Sequence, residues 1–332
     1  MFRKLTGMAA LVVALLAGSV TSAEEAKADA KVRVLILDGQ NNHNWKATTP
    51  YLKQGLEGSG RFVVEVATGP AKLKGPVKPK DDNDAAAQAK YKEALAKFKE
   101  EEPAYKAALA KFRPDLTQCD VVLSNYNGDV WSPEFQKDLE DALKAGKVGL
   151  VVFHAANNAF TGWPEFNRMI GMGWRVNSFG ERIYFNGEGK EVRQKKGEGL
   201  GAGETSAHPF RVTVRDAEHP VMKGMPAEWM HTADQLVHGL RGPIENVHVL
   251  ATAYSDKAKK GTGEHELMIW TVSYGKGRVF HTPMGHDLVA LRCVGLTTTI
   301  LRGTEWAATG KVTLPVPASF PTGEKTSVVS EK

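Results

Sequence analysis

The sequence predicts a single-domain α/β protein with a doubly wound, mostly parallel sheet and helices on both faces. Runs of β-branched and aliphatic residues alternate with segments of helical periodicity, which is the pattern of repeated strand–helix–strand units. The first run, 32–37 (VRVLIL), is apolar almost throughout, as expected for a central strand buried on both faces. The length of 332 residues is compatible with one such domain.

The first strand opens a βαβ unit. After a polar loop, apolar residues recur at helical spacing over 47–57, and Gly58 is placed to end that helix. The segment 61–67 (RFVVEVA) is then predicted as the second strand. A strand, a helix and a second strand in this order are typical of a parallel sheet.

An Ala-, Lys- and Glu-rich segment over 76–114 interrupts this pattern. YKEALAKF at 91–98 returns as YKAALAKF at 105–112, an offset of fourteen residues or two heptads, which predicts a helical stripe. Pro103 is expected to kink or split that helix. The resulting arm is expected either to be a solvated insertion or to contact a protein partner or a second subunit.

The core pattern resumes after the arm. A third strand is predicted over 120–125, a helix over 133–145 that Ser132 opens, and a fourth strand over 148–153. Gly146 is well placed to end the helix. No element is predicted over 171–207. The other predicted elements are a short helix over 164–170, strands near 210–214, 247–253, 267–272 and 278–280, and a closing helix over 288–306.

The N-terminal 23 residues predict a secretory signal peptide. Arg3 and Lys4 precede an apolar run over 8–16, and small residues lead to a cleavage site after Ala23. The run is too short to span a bilayer, so we expect no membrane insertion and a periplasmic or secreted protein. The α/β domain is expected over 31–312, with the helical insertion at 76–114 and a C-terminal tail over 313–332.

The net charge and the cysteine content limit which partners and which reactions are expected. Removal of the signal peptide lowers the formal net charge from +5 to +3, and much of the lysine excess lies in 72–111. Aromatic residues are not interleaved there in a stacking pattern, so no nucleic-acid partner is expected. Cys119 and Cys293 each lie in an apolar context, which favours two buried thiols over a disulfide.

Histidines follow several of the predicted strands. His43 comes after the first strand, His154 directly after the fourth, and His281 and His286 after the last. Because the carboxyl ends of parallel strands meet at one edge of a sheet, we expect these side chains to converge. Convergent histidines suit acid–base chemistry or a divalent metal such as zinc, whereas any one of them alone also suits a structural role. The sharp turn expected after the fourth strand makes His154 the strongest candidate.

The other histidines and two tryptophans carry weaker expectations. His231 lies close enough to Asp234 for the carboxylate to orient it, and His208 is ambiguous. Trp163 and Trp174 are expected either to stack on a sugar ring or to cap the core, and the core role is preferred for Trp174. The histidines expected to be structural are His219, His238, His248 and His265.

Several segments together resemble the ThuA-like, or trehalose-utilisation, family over most of 31–312. They are GLVVFHAANNAFTGWPEFNRMIG, AEHPVMKGMPAEW, HTADQLV, YGKGRVFHTPMGHD and LRGTEWAATGKV. The resemblance implies a flavodoxin-like sheet similar to class I glutamine amidotransferases, but without their nucleophilic cysteine, since neither cysteine follows the fourth strand. Asp234-Gln235 stands where the family commonly shows an acidic pair, and the arm looks foreign to the family. The motif positions carried over by the resemblance are His43, His154, Asn157, Trp163, Asp234, His281 and His286.

The resemblance also implies a substrate class, namely glycosides related to trehalose or the 3-keto sugars made from them. A histidine base could remove the acidified C2 proton of a 3-keto sugar, and the glycosidic oxygen could then leave. Isomerisation would use the same base, so a keto-glycoside lyase or hydrolase and a keto-sugar isomerase both stay open. The rival is a non-catalytic carbohydrate-binding or scaffolding module.

These expectations assign a role to each candidate residue. A divalent metal is a candidate cofactor, and no nucleotide cofactor is expected. The catalytic candidates are His154, His286, His43 and Asp234; the substrate-binding candidates are Asn157, Trp163, Asn125, Tyr126 and His281; and the metal-ligand candidates are His43, His154 and His286.

Overall fold

The computed structural model describes residues 30–81 and 83–329. The predicted signal peptide lies outside these residues. The strands are β1 Val32–Asp38, β2 Phe62–Thr68, β3 Val121–Ser124, β4 Gly149–Phe153, β5 Arg182–Phe185, β6 Glu191–Gln194, β7 Gly203–Glu204, β8 His208–Val214, β9 Glu228–Asp234, β10 Val237–His238, β11 Val247–Tyr254, β12 His265–Tyr274 and β13 Gly277–Thr282. The α-helices are α1 Trp45–Gly58, α2 Ala85–Lys111, α3 Pro133–Lys144, α4 Pro164–Ile170, α5 Leu288–Leu291 and α6 Val294–Thr309.

The main sheet has a parallel half and an antiparallel half. The parallel strands lie in the order β2-β1-β3-β4-β13, which is the strand order of flavodoxin-like folds. Strands β12, β11, β8 and β9 continue the sheet in antiparallel pairs. The predicted α/β class and the mostly parallel, doubly wound arrangement are confirmed.

Alternate residues of β1 face opposite sides of the sheet, and each side has its own core. Val34 and Ile36 pack in the cluster that contains residues of α1 and α6. Leu35 and Leu37 pack in the cluster that contains residues of α3 and α4. Apolar residues at every position are therefore needed, which explains the continuous run in the sequence.

In the second half of the chain, one region left unassigned contains defined strands, and one predicted helix is wrong. The region 171–207, for which no element is predicted, contains the short strands β5, β6 and β7. The closing helix predicted over 288–306 is two helices, because Cys293 between them has an extended backbone and pairs with Val328. The residues of the predicted C-terminal tail also pack on the domain, with Leu314, Val316 and Phe320 against the core.

The arm contains one continuous helix, α2, so Pro103 does not split it. Proline removes a single amide donor, whose partner would be the carbonyl of Lys99, and Lys99 is exposed so that water can satisfy that carbonyl. No residue of α2 is buried. A half-buried stripe runs along it and matches the predicted two-heptad repeat, with members Tyr91, Leu95, Phe98, Glu102, Tyr105 and Leu109.

Among the residues described, no helix is both long enough and apolar enough to cross a membrane.

Candidate functional site

Three histidines from distant parts of the chain meet at the carboxyl edge of the parallel strands. His43 follows β1, His154 directly follows β4 and His286 follows β13. The ring centroid of His43 lies 4.6 Å from that of His154 and 4.6 Å from that of His286, and the other two rings are 5.6 Å apart. All three pairs meet edge to face. We call these three side chains the histidine cluster.

His154 occupies a strained position with an unpaired ring nitrogen. Its φ of 43° lies in the left-handed region, which a side chain other than glycine rarely adopts, and such strain is concentrated at functional sites. Nδ1 donates a hydrogen bond to the carbonyl oxygen of Pro283 at 2.7 Å. Nε2 is buried and has no hydrogen-bond partner in the described part of the chain. Burial lowers the pKa of His154, so its imidazole is neutral and Nε2 carries a free lone pair.

His43 is held by the two asparagines that precede it. The side-chain oxygen of Asn41 accepts the backbone N–H of His43 at 2.9 Å, and the Asn42 amide lies 3.2 Å from Nε2 of His43. An amide nitrogen can only donate, so Nε2 accepts and Nδ1 carries the proton. Burial, followed by repulsion from His154 and His286, lowers the pKa of His43 to about 4. His43 is therefore neutral at physiological pH.

Asp234 lies beneath the cluster rather than in it. One carboxylate oxygen accepts the backbone N–H of Gly285 at 2.8 Å, and the other accepts that of His286 at 3.2 Å. The carboxylate also contacts Nε2 of His231 at 3.0 Å, with both side chains fully buried. Burial opposes ionisation, but the hydrogen bond from His231 holds the pKa of Asp234 below its usual range. Asp234, predicted to be catalytic, is thus placed to position the His286 backbone.

The pair of His231 and Asp234 has a third neighbour in Cys293. Burial alone would lower the pKa of His231, but Asp234 and Cys293 together raise it to about 9. The predicted proximity of Asp234 to His231 is therefore seen as a direct contact. Cys119 and Cys293 are both free and buried, which confirms the prediction of two buried thiols.

A pocket of about 240 Å³ lies at the cluster. Its other wall comes from β7 and β10, which pair through Glu204 and Val237. Asn157 lines the pocket and also holds Trp174, whose backbone N–H donates to the Asn157 side-chain oxygen at 3.2 Å. The lining residues are Asn42, His43, His154, Ala155, Asn157, Asn158, Trp174, Glu204 and Val237.

Trp163 lies within the core, whereas Trp174 packs on the edge of the core and lines the pocket. Trp163 is 4% exposed, stacks on Phe166 and donates its indole N–H to Glu140 at 2.6 Å. Trp174 is half-buried, packs against the core as preferred from the sequence, and also lines the pocket. The glycine-rich sequence around Trp174 has no hydrophobic periodicity, so the position of Trp174 at the pocket could not be predicted from it.

Three further substrate-binding candidates are buried away from the pocket. Asn125 donates its amide hydrogens to Thr48 and Thr49 at 3.0 Å each. The Tyr126 hydroxyl donates to the carbonyl of Asp129 at 2.8 Å. His281 faces the other way along β13, with its ring on Trp270 and its Nδ1 donating to Ile170 at 3.2 Å. Asn125 and Tyr126 have internal partners, and His281 is fully buried with Nδ1 paired and Nε2 unpaired among the described residues, so all three lie in the fold around the site rather than in the pocket.

The histidine cluster has some features of a metal site but not all of them. The carbonyl that fixes Nδ1 of His154 and the unpaired Nε2 are what a metal-ligating histidine requires. As the side chains stand, no group of three or more His, Cys, Asp or Glu within 30–81 and 83–329 is placed to hold a metal ion. The present geometry does not fit a metal, so no catalytic step is assigned to one.

Comparisons with known proteins agree with this architecture. A ThuA-like protein of Parabacteroides merdae is 36% identical, with 90% of this chain and 98% of that one covered and a TM-score of 0.76. A ThuA-like protein of Bacteroides uniformis is 16% identical, with 85% and 94% covered and a TM-score of 0.53, and shows a similar fold. No curated protein matches the chain significantly. The family model described as trehalose utilisation matches residues 33–307, so the chain belongs to the ThuA family.

Proposed function

We propose that this protein is an enzyme that removes the C2 proton of a 3-keto glycoside, with Nε2 of His154 as the base. Family membership supports a carbohydrate-related role. The observation that carries the proposal is the unpaired Nε2 of a neutral, strained histidine that lines the pocket. A buried acceptor without a partner costs about 1–3 kcal/mol, which a site for proton abstraction would justify.

The proposed reaction is an elimination. The C2–H bond breaks, its proton passes to Nε2 of His154, and the electron pair forms an enediolate with the C3 carbonyl. The bond from C1 to the glycosidic oxygen then breaks as the C1–C2 double bond forms, and the proton taken by His154 passes through His286 to the leaving oxygen, which returns both imidazoles to their starting forms. The products are an unsaturated keto sugar and a free alcohol, and addition of water would complete a hydrolysis. Return of the proton to the intermediate at another position would give isomerisation instead.

The rest of the pocket supports this route over ordinary glycoside hydrolysis. Among the described residues that line the pocket, Glu204 is the single carboxylate, whereas a standard glycosidase uses two. Neutral His43 can donate a hydrogen bond from Nδ1–H to the enediolate oxygen. Because His43 is uncharged, the pocket carries no positive charge from it before the enediolate forms. Trp174 offers an aromatic face to a sugar ring.

The test compares the wild-type protein with His154→Gln on a 3-keto glycoside. We expect turnover to fall by about 10²–10⁴-fold, because glutamine cannot accept a proton, while the substrate still binds. His281→Gln is the matched control, since His281 lies outside the pocket. If wild-type protein binds the sugar without turnover, and His154→Gln binds equally well, the protein is the non-catalytic carbohydrate-binding module instead.

As an alternative to the route through a histidine base, we propose that rotation of the half-buried rings of His43 and His286 would let the histidine cluster bind a divalent metal such as zinc; Nε2 of His154 would then be a ligand and not the base. The test is elemental analysis of purified protein and of the His154→Ala/His286→Ala double variant. Near-stoichiometric metal in the wild type that is lost in the double variant is the expected result. Active wild-type protein without metal would refute this part and leave proton transfer to the imidazoles alone.

A further inference from the structure

Among the described residues, a polar contact between Gln40 and Tyr105 links the helical arm to the loop of His43. Gln40 lies three residues before His43 and is 3% exposed. Its side-chain amide donates to the Tyr105 hydroxyl at 2.9 Å and to the carbonyl of Pro70 at 2.9 Å. Its side-chain oxygen accepts the backbone N–H of Asp129 at 3.0 Å. Both amide hydrogens and the side-chain oxygen of Gln40 therefore have hydrogen-bond partners. One of these partners, Tyr105, lies on α2.

Tyr105 is itself fixed from the other side. Its hydroxyl donates to a carboxylate oxygen of Asp129, and Asp129 also forms an ion pair with Lys72 at 2.9 Å. Burial, followed by the hydrogen bond to Asp129, raises the pKa of Tyr105 to about 12. The hydroxyl therefore keeps its proton and accepts from Gln40 while it donates to Asp129.

The short loop between β1 and His43 connects Gln40 to the histidine cluster. Gly39 has a φ of 116° and packs so closely on Gly69 that a Cβ would lie 2.5 Å from the Gly69 oxygen. The carbonyl of Gln40 accepts the backbone N–H of Asn127 at 2.8 Å. Asn41 donates to the carbonyl of Asn125 at 3.1 Å and accepts from the backbone of His43. Each residue from Gly39 to Asn41 thus contacts a neighbouring segment, and Asn41 in turn accepts the backbone N–H of His43.

The contact with Gln40 lies in the second copy of the repeat. Tyr91 occupies the same position in the first copy of the repeat and lies on the same half-buried stripe. Fourteen residues of helix separate Tyr91 from Tyr105, a distance of about 21 Å. Tyr91 is therefore a natural internal control for the Tyr105 hydroxyl.

We propose that Tyr105 is a positioning residue, through which the arm holds Gln40 and fixes the His43 imidazole in the histidine cluster. In this role the arm completes the site from outside the sheet. The effect on turnover rests on the proposed function, but the placement of His43 does not.

The first test is the NMR contact between the ring protons of His43 and those of His154 and His286, in protein with labelled histidine. We expect these contacts in the wild type and in Tyr91→Phe, and their loss or strong weakening in Tyr105→Phe, which removes one oxygen atom. Equal contacts in all three proteins would overturn the proposal. The melting temperature of each variant shows that the fold is retained.

A second variant separates this path from a general loosening of the arm. Gln40→Leu keeps the bulk of the side chain and should weaken the same ring contacts as Tyr105→Phe. The double variant should show no further loss, because both changes break one chain of contacts. Losses that add independently would contradict a path through Gln40, and so would unchanged contacts in Gln40→Leu.

Turnover of a 3-keto glycoside provides the readout that depends on the proposed function. In Tyr105→Phe we expect kcat to fall by about tenfold with KM little changed, since His43 is placed to stabilise the transition state rather than to bind substrate. If the wild type has no turnover, the proposed function fails while the ring contacts still decide the role of Tyr105. If the ring contacts change in Tyr105→Phe while kcat stays the same, Tyr105 only positions the loop, and its role in catalysis is overturned.

Discussion

His154 carries the strain of the site in its own backbone and ring. A left-handed conformation costs a residue other than glycine of the order of 1–3 kcal/mol, and the unpaired Nε2 adds a further penalty. The hydrogen bond from Nδ1 to Pro283 and the packing of the cluster hold the residue in place. The lone pair thus has no hydrogen-bond partner among the described residues, and because Nε2 is buried, a neighbouring ring of the cluster has to move before a substrate can reach it.

Trp174 should contribute to substrate binding and Trp163 should not. Trp174 lines the pocket and also a neighbouring cavity of about 520 Å³. Loss of a sugar-stacking face in Trp174→Ala should raise KM roughly tenfold with kcat little affected. Trp163→Phe, in the core, should lower the melting temperature and leave KM unchanged. Steady-state kinetics of both variants check this, and an unchanged KM in Trp174→Ala would contradict a role in binding.

The buried pair of His231 and Asp234 predicts a loss of stability at alkaline pH. The pKa of His231 in the folded protein is about 9, which is above its ordinary value near 6.5. The stabilisation is therefore fully present below about pH 6.5 and is lost as the pH rises through about 9. Urea unfolding at pH 7 and pH 9.5 should show a larger drop for the wild type than for His231→Asn. Equal drops would show that this pair does not set the alkaline limit.

At the scale of the elements, the regular parts of the fold can be predicted from the sequence and the irregular wall of the pocket cannot. Continuous apolar runs identify β1 and β4, and Ser132 caps α3 as predicted by accepting the Phe135 N–H at 3.2 Å. Strands β7 and β10 have two residues each and pair across a long stretch of chain. Periodicity cannot reveal so short a pairing, so Glu204 was beyond prediction although it lines the pocket.

Within α2, Pro103 should be the weak point of the arm. Proline in an exposed helix interior is about 3 kcal/mol less favourable than alanine. Pro103→Ala should therefore slow hydrogen exchange of the arm amides by about 10²-fold or more if they open locally. The contacts of the histidine cluster should stay as they are. Unchanged exchange rates would mean that the arm opens only with the whole protein.

At the scale of the whole molecule, we propose that the chain is exported and works without its first 23 residues. The expected outcome is a secreted or periplasmic protein whose mass and first residues match a chain that begins at Glu24. Intact-mass measurement and N-terminal sequencing check this. Recovery of full-length protein from the cytoplasm would contradict export, and it would leave the folded domain and its pocket unaffected.

The strand order has a consequence for when the site exists during synthesis and folding. Strand β13, which joins the parallel half of the sheet to the antiparallel half and precedes His286, is supplied by residues 277–282, whereas β1, which precedes His43, comes from 32–38. His43 and His286 are thus brought together only after nearly the whole chain is available, and contacts of such long sequence separation form slowly. A shortened chain that ends before β13 lacks both His286 and the strand that joins β4 to β12, so it has neither a continuous sheet nor the cluster, and sugar binding would report the completed fold.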